Sequence, residues 1–190
     1  SESSSMKKLY ETLADYVMQK GMIEESDREM YEYAFQITAE AGLFVLFCFL
    51  MALHMHMLVE GLLFFIIFVP LRSYAGGLHM DTFKACFLLS CLAFSGVLLL
   101  ARYIEIPGCF SFLVLLSLEF TIYWLYPVEN KNREVDREEN AWFKRKLRSF
   151  LLLDFFLALA CLAFYKERYL LLMGATFLLI AISMIIAKAK

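Results

Sequence analysis

"YLLLMGATFLLIAISMIIA", residues 169–187, runs for nineteen residues without a charge. Wound as an α-helix at ~1.5 Å per residue, it reaches close to ~30 Å, the thickness of a bilayer's hydrocarbon core. No polar stripe breaks its surface, so such a helix is surrounded either by protein or by lipid. Five further apolar segments precede it, at residues 41–57, 58–71, 82–104, 109–126 and 150–165. Lipid offers no hydrogen-bond partner to an open backbone, so each is expected to be helical. The fold class that follows is all-α, a polytopic membrane bundle of about six spans. Residues 58–71 fall short of the ~20 needed for a full crossing, so that segment is expected to tilt or to stop below the surface.

The composition agrees with this. Of 190 residues 61% are hydrophobic and only three are prolines, against about 45–50% apolar residues in a soluble domain. The formal charge of -2 leaves no dominant basic face and argues against a nucleic-acid partner. The five cysteines have neither paired spacing nor a CxxC pattern, so no disulfide framework and no metal site is indicated. Buried small thiols account for four of them, Cys48, Cys91, Cys109 and Cys161. No cofactor is implied.

Residues 6–190 read as a single integral membrane domain. "SESSS" ahead of Met6 reads as an appended remnant, with the native chain expected to start at Met6. Residues 6–40 form the N-terminal amphipathic part. Met6, Leu9, Tyr10, Leu13, Tyr16 and Val17 share one helical face, and Gly21 ends that helix. "SDRE" at 26–29 matches a capping box, with Ser26 as N-cap and Glu29 reaching back, at the start of a helix that continues into the first span. The bundle occupies 41–187, interrupted by a polar loop at 127–149. With the N-terminus cytoplasmic, six crossings return the C-terminus to the same side. Fifteen of the eighteen Lys and Arg residues then lie inside, and only Arg102, Lys166 and Arg168 lie outside. That bias sets the orientation and puts the 127–149 loop in the cytoplasm.

"LRSYAGGLHMDTFKACFLLSC", residues 71–91, covers the break between the second and third segments. A linker needs polar residues and a turn, not a histidine seven positions before a cysteine. Cys is the strongest side-chain nucleophile, and a neighbouring His can take its proton. Asp81 or Thr82 can cap the third span, which sets Cys86 near the second turn of a helix whose N-terminal dipole favours anions. On one continuous helix His79 and Cys86 stand ~10.5 Å apart along the axis, too far for proton transfer. His79 is therefore expected ahead of the helix, in a loop folded back with the help of Gly76 and Gly77. The ordinary alternative is a polar loop histidine and a small core cysteine. The R-x3-GG-x-H-x6-C unit as a whole weighs against it.

"RSYAGGLH" followed by Cys86 resembles the accessory gene regulator B (AgrB) family of membrane-embedded cysteine endopeptidases. Chain length, span number and the place of the His/Cys pair before the third span match as well. "YPVENKN" at 126–132 is similar to the Pro-starting loop that follows the family's fourth span, without its second proline. The resemblance implies a cell-membrane enzyme of a Gram-positive bacterium, with its active site on the cytoplasmic side. It implies an AgrD-type propeptide as substrate and a cyclic thiolactone, the precursor of a quorum-sensing pheromone, as product. Cys86 is then the nucleophile and His79 the general base, later the acid. Arg72 matches the motif arginine and would hold a substrate carboxylate or orient the loop; a lipid-phosphate anchor is its alternative. Gly76 and Gly77 would be structural, with N–H groups available to an oxyanion. The partners are the propeptide and the bilayer; a homodimer is one option for an oligomeric state the sequence does not fix.

Other residues carry less. His54 and His56 are too few ligands for a metal and read as loop residues. The basic run Lys144, Arg145, Lys146 and Arg148 is explained by topology and anionic lipid, with an acidic propeptide tail as the sharper alternative. Glu119 lies mid-span, where an ionisable group is functional by default. Asp154 is expected about five residues into its span. There it accepts a hydrogen bond from His79 if the third and fifth spans are neighbours, and otherwise snorkels or pairs with Arg148. A transporter or channel using Glu60, Glu119 and Asp154 as a polar path is the competing function; no paired repeat halves support it. A non-catalytic scaffold leaves the 72–86 unit unexplained.

Overall fold

The computed structural model describes residues 2–21, 24–76, 83–127 and 137–189. Among these the chain is all-helical, with seven α-helices: α1 Glu2–Gln19, α2 Arg28–His54, α3 Leu58–Ala75, α4 Phe83–Tyr103, α5 Gly108–Leu125, α6 Arg137–Ala163 and α7 Glu167–Ala189. Five of them, all but α1 and α6, are long and apolar enough to cross a membrane. The last eighteen residues of α6, 146–163, carry Lys146, Arg148 and Asp154. The chain divides into two units, Ser1–Phe47 and Cys48–Lys190.

In the first unit α1 buries Tyr10 and Ala14, one turn apart, and ends at Gly21, whose φ of 69° suits the left-handed turn there. Ser26 does not cap α2. It lies inside a 3₁₀ turn, Glu25–Asp27, that leads into the helix. The entry is held instead by Arg28, whose Nε is 2.7 Å from Asp15 and whose Nη1 is 3.6 Å from Glu32.

The second unit is built around α7. Leu170, Met173, Phe177, Ile180, Ala181 and Met184 are buried, and α3, α4, α5 and α6 all pack on this helix. Its charge-free stretch is thus apolar all round because protein covers most of it. Helices α2 and α3 approach closely where Gly61 faces Ala52: a Cβ at Gly61 would lie 3.0 Å from the Ala52 Cβ.

Three short connections lie at one end of the bundle. Two use the same helix-ending motif. Met57 N–H bonds to Ala52 C=O at 2.8 Å and Lys166 N–H to Cys161 C=O at 2.7 Å, each across a residue with positive φ, His56 at 55° and Tyr165 at 56°. These are Schellman-type ends with a non-glycine residue in the left-handed position. The connections are then laced together. Arg102 donates to the Met55 carbonyl at 2.9 Å, the Gly108 N–H donates to Glu167 at 3.1 Å, and Arg168 pairs with the buried Glu60 at 3.2 Å.

Two segments differ from the sequence expectation. α3 does not stop at 71 but continues to Ala75, taking Arg72 into its last turn. Residues 137–149, expected as part of a polar loop, are the first half of α6. Their Glu, Arg, Lys, Leu and Ala residues are strong helix formers with no Gly or Pro among them. Low hydropathy there marks a polar stretch of helix, not a loop.

Candidate active site

Helix α3 is fixed at its end by the buried Leu71 and Ala75, which leaves Arg72 half-buried between them. Gly76 then ends it with φ 78° and ψ −162°, a combination that only glycine adopts without strain. The chain resumes as α4 at Phe83, and Cys86 is in its first turn, exposed. The Arg72 guanidinium and the Cys86 thiol lie within electrostatic range of each other. Of the predicted unit, Arg72, Gly76 and Cys86 are therefore brought to one end of the bundle. Gly77, His79, Asp81 and Thr82 lie outside the described residues.

A platform of aromatic rings stands beside this end. Tyr74, two residues after Arg72, stacks on Phe150 with centroids 5.6 Å apart and also meets Trp142 and Phe143, each at 5.8 Å. The contact clamps α3 onto the charged half of α6. Lys144 lies over the Tyr123 ring at 5.4 Å and Lys146 over Trp142 at 5.5 Å, while Arg145 and Arg148 are exposed. The Tyr126 hydroxyl donates to Asn140, and burial pushes that phenol up from its ordinary value. The basic run is thus a helical face held near the end of α3. Hydropathy missed the platform because Tyr and Trp score as neutral; the signal was aromatic residues flanking both Arg72 and the basic run.

Asp154 is 3% exposed and lies in the middle of α6, so it neither snorkels nor sits near a helix end. Its electrostatic neighbour is Glu119 on α5. α6 packs on α3, α5 and α7, and shares no extended face with α4, which carries Cys86. Glu60, paired with Arg168, sits at the hairpin end and does not continue a path from these two acids. Of the cysteines, Cys48, Cys91 and Cys161 are buried, but Cys109, expected to be buried, is exposed at the start of α5. Position in an apolar run does not distinguish a residue facing protein from one that no protein covers.

The family model for accessory gene regulator B matches residues 10–186, nearly the whole chain. No curated protein and no solved structure matches it.

Proposed function

The chain belongs to the accessory gene regulator B family, and from that premise we propose that it is a membrane cysteine endopeptidase that matures a peptide pheromone. The coarser part needs no proposal: it is a multi-pass membrane protein of a family that processes quorum-sensing propeptides. The observation that best supports the finer reading is that Arg72 and an exposed Cys86 in the first turn of α4 lie within electrostatic range, on either side of the segment that holds His79.

The chemistry has two acyl transfers. His79 takes the proton of Cys86, and the sulfur attacks the scissile carbonyl of an AgrD-type propeptide. The tetrahedral oxyanion is stabilised by Arg72 and by backbone N–H groups at Gly76 and Gly77. The C–N bond then breaks, His79 returns the proton to the leaving amine, and the C-terminal tail departs. Cys86 now holds the remaining peptide as a thioester. A cysteine within that peptide attacks the same carbonyl, the Cys86 thiol is regenerated, and a cyclic thiolactone leaves. One thioester replaces another, so the second step conserves bond energy provided water is kept away. The basic face Lys144, Arg145, Lys146 and Arg148 receives the acidic tail.

Orientation is part of the proposal. The three basic residues assigned to the outside, Arg102, Lys166 and Arg168, all belong to the laced hairpin end. Arg72 and the basic run of α6 belong to the other, which supports a cytoplasmic active site. Co-expression with candidate propeptides followed by mass spectrometry tests the reading. The product expected is a truncated peptide one water lighter than its linear form. A linear truncated peptide alone would leave a protease without ring closure, and no truncation with any candidate would remove the assignment.

A further inference from the structure

Among the described residues, a buried acid, Asp154, and a half-buried one, Glu119, make no ion pair with a cation. α6 buries Leu147, Leu151, Asp154, Ala158 and Cys161, positions whose alternating spacing of four and three puts them on one face. Asp154 takes the centre of that stripe, where its neighbours are Leu, Ala and Cys. Glu119 projects from α5, and its Oε1 is buried without a hydrogen-bond partner. The two carboxyls are electrostatic neighbours. Gly108 against Leu162 and Phe112 against Phe155 fix the antiparallel register of the two helices. That register sets Asp154 about one to two turns, ~5–9 Å, nearer the hairpin end than Glu119. About one turn further toward that end lies Ser111, whose Oγ is also buried and unpartnered.

The charged and titratable groups described on the surrounding helices are committed elsewhere, lie at helix ends or are exposed. On α3, Glu60 pairs with Arg168 of α7, and Arg72 is next to Cys86. Tyr74 of α3 is clamped in the aromatic platform. On α7, Glu167 accepts the Gly108 N–H, Tyr169 follows at that end, and Lys188 is exposed at the other. On α5, Cys109 is exposed and Tyr123 lies under Lys144. On α6, Arg148 is exposed and Cys161 buried.

We propose that Glu119 and Asp154 form an intramembrane proton-binding site, with at least one proton held by the pair at neutral pH. Two carboxylates in this setting lose their hydration and repel each other, and taking up one proton relieves both costs. The titration belongs to the pair and not to either residue. Protonated, the stripe of α6 packs on α5 and α7 as an apolar face. Ionised, it draws in water or separates the helices. This site makes no use of Cys86 or His79 and stands apart from the peptidase reading.

The test is infrared spectroscopy and thermal unfolding of the whole chain in lipid nanodiscs, titrated from about pH 5 to pH 9. Carboxyls of the unfolded chain have released their protons above about pH 5, whereas the folded pair keeps one, so rising pH withdraws stability. Wild type should show a protonated-carboxyl carbonyl band at neutral pH and a melting temperature that falls as pH rises. Glu119→Gln with Asp154→Asn should remove the band and flatten the fall. The wild-type band needs no variant, so its absence at neutral pH overturns the proposal even if the double variant misfolds. Its persistence in a folded double variant does the same. A gain in melting temperature in sodium over choline chloride at fixed pH, lost in the double variant, puts a metal cation in place of the proton and also overturns it.

Discussion

The Tyr74 ring lies stacked on that of Phe150, with planes 18° from parallel, so the end of α3 that carries Arg72 is clamped to α6. An aromatic pair of this kind contributes about 0.5–1.5 kcal/mol beyond its buried area. The segment that contains His79 follows Gly76, so freedom at Tyr74 is expected to reach the proposed general base. Tyr74→Phe should keep near wild-type turnover, because the stacking partner survives. Tyr74→Ala should lower turnover by on the order of tenfold, equal to ~1.4 kcal/mol on the barrier, with propeptide affinity little changed. Equal turnover in both variants would show that the clamp does not position the site.

Cys86→Ala should abolish tail release and the thioester intermediate while leaving membrane insertion intact. His79→Ala should do the same, since His54 and His56 sit at the hairpin end of the bundle. Alanine at Cys48, Cys91, Cys109 or Cys161, one at a time, should leave processing in place. Mass spectrometry of the propeptide reads all six. Normal cutting by Cys86→Ala, or complete loss on changing Cys91 alone, would move the nucleophile elsewhere.

Arg72 and the basic face of α6 have separable effects. Arg72→Gln removes a cation within electrostatic range of the proposed nucleophile and should lower kcat by on the order of a hundredfold, the cost of losing one oxyanion-stabilising donor. Charge reversal at Lys144 or Arg148 should instead raise KM, with reversal on the propeptide tail restoring it. If no such rescue is seen with any pair, the basic face serves lipid, and tail recognition must lie elsewhere.

Orientation can be read by thiol labelling. In a cysteine-free background, single cysteines at His56 and Lys166 should react with an impermeant reagent from outside the cell, because both flank the laced connections. Cysteines at Leu78 and Glu138 should react only after the membrane is opened. Labelling of Leu78 from outside would reverse the topology and put the active site in the opposite compartment.

The apolar runs, the break at Gly76 and the Arg72, His79 and Cys86 pattern were legible in the chain because they depend on local quantities. Hydropathy over a helix length determines what can enter lipid, and glycine marks where the backbone must take a positive φ. Membership of the bundle and the place of the break follow from these alone. Pairing between helices does not. Asp154 reads as a partner for Arg148 if it does not reach His79, yet it is buried, Arg148 is exposed, and its electrostatic neighbour is Glu119. Cys109 and Cys161 both sit in apolar runs, but one is exposed and the other buried. Sequence determines which face of a helix is apolar; it does not distinguish burial against lipid from burial against protein, since the transfer from water is favourable either way. Only the packing of α3, α5 and α6 around α7 decided which apolar faces are covered by protein, which acids make no ion pair among the described residues, and which aromatic rings hold the end of α3 to α6.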